Sequence, residues 1–118
     1  MSPQQSSHLN AIAASDARMQ SGPRFVLMGT RADHAHAQRR AQQRAISTAM
    51  IRIALVYGRQ EHHCGARRWT LLSKQLRCSP YARYEQELRG LQLVGQQPSA
   101  DGPVELKTCK WNYALRRG

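Results

Sequence analysis

Apolar residues recur along this chain in short blocks, each closed by Gly, Pro or a small polar residue. The clearest block is helical. Ile46, Ala49, Met50, Ile53, Ala54 and Tyr57 stand at i, i+3, i+4, i+7, i+8 and i+11, one continuous face of a helix. Ser47 is placed to cap its start, and Gly58 stands where a left-handed residue would end it. Upstream, the run from Arg24 to Met28, ended by Gly29, has the length of a buried strand. Downstream, 60–64 and 67–73 read as two strands joined by a turn at Cys64-Gly65-Ala66. Trp69 and Leu71 share one face of the second, with Arg68, Thr70 and Leu72 on the other.

A third helix is expected from Ser79 as N-cap and Pro80 at its first position to Gly90 just past its end, with Tyr81, Tyr84 and Leu88 along one face. Two closing strands follow, 91–95 and 104–111, and residues 98–102 supply turn chemistry for a hairpin loop. In the last strand odd and even positions exchange roles between Leu106 and Trp111. A β-bulge or the end of the sheet would explain the exchange.

This pattern predicts an α+β domain over residues 24–118, with helices packed on one face of a small antiparallel sheet. Its core would be built on Ile46, Met50, Ile53, Trp69, Leu71, Leu93 and Leu106. Residues 1–23 are mostly Ser, Gln, Ala and Asn. Leu9, Ile12, Ala13 and Asp16 make no convincing apolar stripe, so this stretch reads as a mobile, disordered N-terminal tail.

Charge changes the picture more than length does. Arg and Lys number 18 against 7 Asp and Glu, a formal net charge of +11. Such an excess favours polyanionic partners, RNA or another nucleic acid first, with solvating surface charge as the plainer alternative. Three widely spaced cysteines, without a CxxC, support neither a disulfide framework nor a zinc ribbon, and suit a reducing, cytoplasmic setting. No apolar run reaches the length of a membrane span, and the first residues lack a secretory signal's apolar core. With no Gly-rich phosphate loop or nucleotide fingerprint, no cofactor is expected.

The chemistry concentrates between His34 and Ile46, a stretch free of Gly and Pro and rich in Ala, Arg and Gln, with Asp33 as a plausible N-cap. His36, Arg40 and Arg44 stand four residues apart, so a helix aligns an imidazole with two guanidinium groups on one face. Such a face suits phosphate.

The run from His36 to Ile46 resembles the HA-x-x-R-x-x-x-R-G-I helix of a family of small bacterial proteins, the domain of unknown function 4258. Weaker similarity extends to Leu55-Val56-Tyr57-Gly58, to Arg68-Trp69-Thr70-Leu71 and to a final strand with a basic ending. The resemblance implies a toxin-like protein similar in layout to RelE and ParE toxins, with a helical pair on a small antiparallel sheet and a cognate antitoxin as partner. RelE-like proteins cut messenger RNA and ParE-like proteins inhibit gyrase, so the scaffold does not choose the target. Two departures stand out. Ala45 occupies the family's Gly position, at a cost of about 1–2 kcal/mol if that residue has φ > 0. Thr108-Cys109-Lys110-Trp111-Asn112 stands where the family often carries a His-Arg pair, so a catalytic imidazole from that strand is missing.

Read as a metal-independent endoribonuclease, the chain assigns His36 to proton transfer and Arg40 and Arg44 to the phosphate. Arg39, Arg67, Arg68 and Lys110 are candidate nucleic-acid contacts, with Arg67-Arg68 on the open face of the sheet, and His62 is a secondary acid–base candidate. His62 and Cys64 would point the same way in an extended strand, yet no spacing resembles a zinc site, and no metal is assigned. The alternatives are a non-catalytic nucleic-acid- or protein-binding module, and an inhibitor of a protein target.

Overall fold

The computed structural model describes residues 1–27 and 45–116. The first residues form helices, not a tail: α1 (Pro3–Ser15) and α2 (Ala17–Gln20). Ser2 Oγ accepts the Gln5 N–H and Gln5 Oε1 accepts the Ser2 N–H, a reciprocal capping box, with Pro3 in the first turn. The apolar stripe of α1 is narrow, but Leu9 and Ala13 lie buried in the core and Ile12 packs against it. Met19 of α2 is buried as well. Tertiary contact fixes a segment whose composition alone reads as disorder.

The periodic helix is α3 (Thr48–Tyr57), with the Ser47 hydroxyl accepting the Met50 N–H. Ile46 precedes the cap and Ile51 lies one turn in; both are buried, the arrangement of a hydrophobic staple. Gly58 ends the helix with φ −65 and ψ 151, extended rather than left-handed. The chain runs straight on into a strand there, and a Cβ on Gly58 would stand 2.4 Å from the Ala54 carbonyl oxygen. Close approach explains this glycine.

Five strands follow: β1 (Phe25–Leu27), β2 (Arg59–His63), β3 (Ala66–Thr70), β4 (Leu91–Gln96) and β5 (Val104–Trp111). They form one sheet in the order β1-β5-β4-β3-β2. β2 to β5 are antiparallel neighbours, whereas β1 runs parallel to β5, so the sheet is mixed. The fold class is α+β, and α3 packs on β3 and β4. The seven core residues read from the sequence are all buried. Between β4 and β5, Val94 faces Thr108 but Gly95 faces Leu106, leaving Lys107 as the extra residue of the expected bulge.

Two boundaries differ from expectation. β3 stops at Thr70, and 73–77 form a short helix, α4 (Ser73–Arg77). The third helix does not run from Pro80. Ser79 Oγ does accept the Tyr81 N–H, but a 3₁₀ turn (Ala82–Tyr84) precedes α5 (Glu85–Leu88). Tyr81 and Tyr84 are both buried, and their hydroxyls are held by Asp16 and His8 of the N-terminal segment. Those anchors override regular helix. Gly90 follows with φ 90, and α6 (Tyr113–Arg116) closes the described chain. Among the described residues no helix is long and apolar enough to cross a membrane.

Candidate nucleic-acid interface

His36, Arg39, Arg40 and Arg44, together with Asp33 and the rest of the basic stretch, lie outside the described residues. Within the described residues, the predicted contacts Arg67 and Arg68 lie on the β2–β3 hairpin. Its turn places Cys64 at φ 49 and Gly65 at φ 77, the left-handed pair of a type I′ turn, whose twist suits a two-residue hairpin. Cys64 therefore leaves the strand alternation and is not aligned with His62. Among the described residues, no three His, Cys, Asp or Glu side chains gather as metal ligands.

Register divides the basic residues between two faces. Gln60 pairs with Trp69, and His62 with Arg67, which in turn faces Gly95. Successive strand residues point to opposite faces, so Arg67 shares the helix-bearing face with buried Trp69. Arg68 lies on the other face. There Glu61, Arg68, Val94 and Thr108 make one row across the sheet, and Arg59, Thr70, Gln92 and Lys110 the next. Arg67 and Arg68 thus do not form one contact on the open face. The structure brings Arg68 and Lys110 to one side and Arg67 to the other.

On that second face, Arg68 Nη2 lies 3.4 Å from Glu61 Oε1, a partly exposed ion pair worth about 0–1 kcal/mol. Gln92 Nε2 donates to Thr70 Oγ1 in a buried pair. Lys110 and Arg59 are exposed.

On the helix-bearing face, beside Leu55 of α3, a cleft of about 470 Å³ opens between Arg24, the β3 residues Arg67 and Trp69, and the β4–β5 loop. A second depression, of about 240 Å³, lies toward the hairpin and is lined by His62, Gly65, Gln96 and Pro98. Arg67 and Gln97 border both. The Gln97 side-chain amide fixes this partition. Its Nε2 donates to the carbonyls of Ala100 and Gly102, while its Oε1 accepts from Arg67 Nη1 at 3.4 Å. Arg24 is held from its own backbone, its carbonyl accepting the Val104 N–H at 2.8 Å.

The N-terminal helices lead into Arg24, which immediately precedes β1, and a polar cluster locks them down. Asp16 Oδ2 accepts hydrogen bonds from the Tyr57 hydroxyl at 2.7 Å and the Tyr81 hydroxyl at 3.0 Å. Burial acts to raise the Asp16 carboxyl, but these bonds and the N–H groups of Arg18 and Met19 outweigh it and hold it below its ordinary value. Burial, reinforced by the bond to the carboxylate, pushes the Tyr57 hydroxyl up to about 12 and the Tyr81 hydroxyl up as well. Arg18 stacks 4.5 Å from the Tyr57 ring centroid, and Arg52 Nη2 donates to the Met19 carbonyl at 2.8 Å. Arg18 and Arg52 hold the fold together.

Sequence reasoning did not find Arg24, Gln60 or Gln97, because their shared cleft joins segments far apart in the chain. No periodic signal marks it. Comparison with protein-family models, with curated proteins and with solved structures gives no match.

Proposed function

We propose that this protein is a small toxin-like RNA-binding protein that grips RNA at the cleft shared by Arg24 and Arg67, and that residues 36–44 supply the chemistry of cleavage. The observation that carries the binding is the position of Arg67, bordering two adjoining depressions and oriented by Gln97. A planar guanidinium so held is suited to phosphate oxygens, and a chain of net charge +11 adds long-range attraction to a polyanion. His62 lines the smaller depression and would meet the same backbone.

The cleavage half of the reading rests on the resemblance of residues 36–46, beside which one local observation stands. Ala45, where the resembled family carries Gly, has φ 54. The residue after the His36–Arg40–Arg44 spacing is thus left-handed, and Ala disfavours that conformation where the resembled family's Gly would not. In this reading His36 takes the proton of the attacking 2′-hydroxyl and a proton is returned to the 5′-oxygen as its bond to phosphorus breaks, while Arg40 and Arg44 stabilise the negative charge on the non-bridging phosphoryl oxygens.

Induced expression in a bacterial host tests both halves, with wild type beside His36→Ala and Arg67→Ala and with growth and total RNA integrity as readouts. Growth arrest with RNA degradation, abolished by His36→Ala and weakened by Arg67→Ala, is the expected result. Intact RNA with wild-type protein that still binds RNA in vitro would leave a non-catalytic binding module. Absence of RNA binding at low salt would overturn the reading as a whole.

A further inference from the structure

Resting on the RNA reading above, we infer that the paired depressions hold two consecutive unpaired nucleotides, with the phosphate between them on the Arg67 guanidinium. Among the described residues, the hydrogen bond of Arg67 is the single one to Gln97 Oε1, through Nη1. The rest of its donor fork is left for the two spaces it borders. A phosphodiester joins two sugars across one group, so a cation bordering two adjoining spaces has the geometry of that group's contact.

The two spaces differ in a way that orients the chain of nucleotides. The larger, at about 470 Å³, falls within the range of small-ligand sites and has Trp69 and Leu55 at its apolar floor. Gln60 and Asp101 supply polar groups there. The Asp101 carboxylate accepts hydrogen bonds and repels phosphate, so it faces a base and not the backbone. Arg24 is the second cation of this space and takes the next phosphate along. The smaller space, at about 240 Å³, holds only part of a nucleotide, and His62 and Gln96 stand beside it.

Strand pairing decides the class of RNA. Arg67 is half-buried, recessed between the hairpin and the β4–β5 loop. Bases stacked and paired in an A-form helix cannot turn into a cleft, whereas unpaired bases can be splayed into one. The site therefore selects single strands.

The test uses the full chain and a fluorescein-labelled oligouridylate of about 12 nucleotides, with a blunt RNA duplex of similar length as comparison. Anisotropy titration should show the single strand bound at least about tenfold more tightly than the duplex. Arg67→Gln should weaken single-strand binding about tenfold and lower the salt slope by about one, as loss of a charge-assisted phosphate contact does. Lys74→Gln removes the same charge from an exposed site outside the cleft and should change affinity less than about twofold. The dinucleoside monophosphate UpU should compete, and uridine should not. If Arg67→Gln loses its far-UV circular dichroism, Gln97→Ala, which frees Arg67 from its anchor, is read in its place against the same expectation of weakened single-strand binding. Equal affinity for duplex and single strand, or an Arg67 effect no larger than that of Lys74, overturns this inference and leaves RNA binding standing. Failure of every RNA to bind removes both.

Discussion

The Tyr57 hydroxyl donates to Asp16 Oδ2 across 2.7 Å, joining residues 41 positions apart. Tyr81 adds its own hydroxyl to the same oxygen from a third part of the chain. One carboxylate thereby ties the N-terminal helices to α3 and to the loop before α5.

Replacing Asp16 with Asn keeps one acceptor but removes the charge, and should cost about 1–2 kcal/mol at neutral pH. The sign of the pH dependence follows from the depressed carboxyl. Its contribution is complete above the ordinary value of 3.8 and is lost as pH falls through the lower folded value. Tyr57, raised from 10.0 to about 12, contributes in full below its ordinary value and loses that contribution as pH rises through the folded one. Urea unfolding of wild type and Asp16→Asn from neutral pH to about pH 3 should show the difference between them shrinking. A pH-independent difference would mean that the carboxylate charge plays no part.

Deletion of residues 1–20 should be severe. Leu9 and Met19 are each 1% exposed, and burying such side chains is worth about 1.5–3 kcal/mol apiece. Their sum, about 3–6 kcal/mol, is a large fraction of the stability of a small domain, about 5–15 kcal/mol. The truncated chain should lose its cooperative thermal transition. A transition within a few degrees of wild type would show the N-terminal helices to be dispensable.

Ala45→Gly should stabilise the protein. Relief of the left-handed Cβ strain at φ 54 is worth about 1–2 kcal/mol, and the freer unfolded chain takes back about 0.4–1. A net gain of about 0.5–1 kcal/mol is expected in urea unfolding. Loss of stability would refute strain at this position.

Gly95→Ala should do the reverse. A Cβ there would lie 2.1 Å from the Glu105 carbonyl oxygen, a backbone atom that cannot swing aside without disturbing the bulge. A loss of about 2 kcal/mol or more is expected from the same measurement. A neutral substitution would show that β5 can shift at Lys107 without penalty.

Much of the fold was legible in the sequence because its signals are local. The 3.6-residue recurrence from Ile46 to Tyr57 marks α3, and the change of parity after Leu106 marks the bulge. Each reflects which side of one element faces the core. The capping box at Ser2 and Gln5 is an equally local feature of α1, but from its polar composition this stretch reads as a tail.

Only the tertiary structure decided the rest. Leu9 and Met19 lie on helices that pack against α3, and Tyr81 and Tyr84 bend a regular helix because Asp16 and His8 wait for their hydroxyls. The cleft was beyond the sequence for the same reason. Strand alternation separates Arg67 from Arg68, and chain folding brings Arg24 and Gln97 to the cleft that Arg67 lines. Local periodicity states which face of an element is buried. The contents of the space between elements follow from how the elements pack.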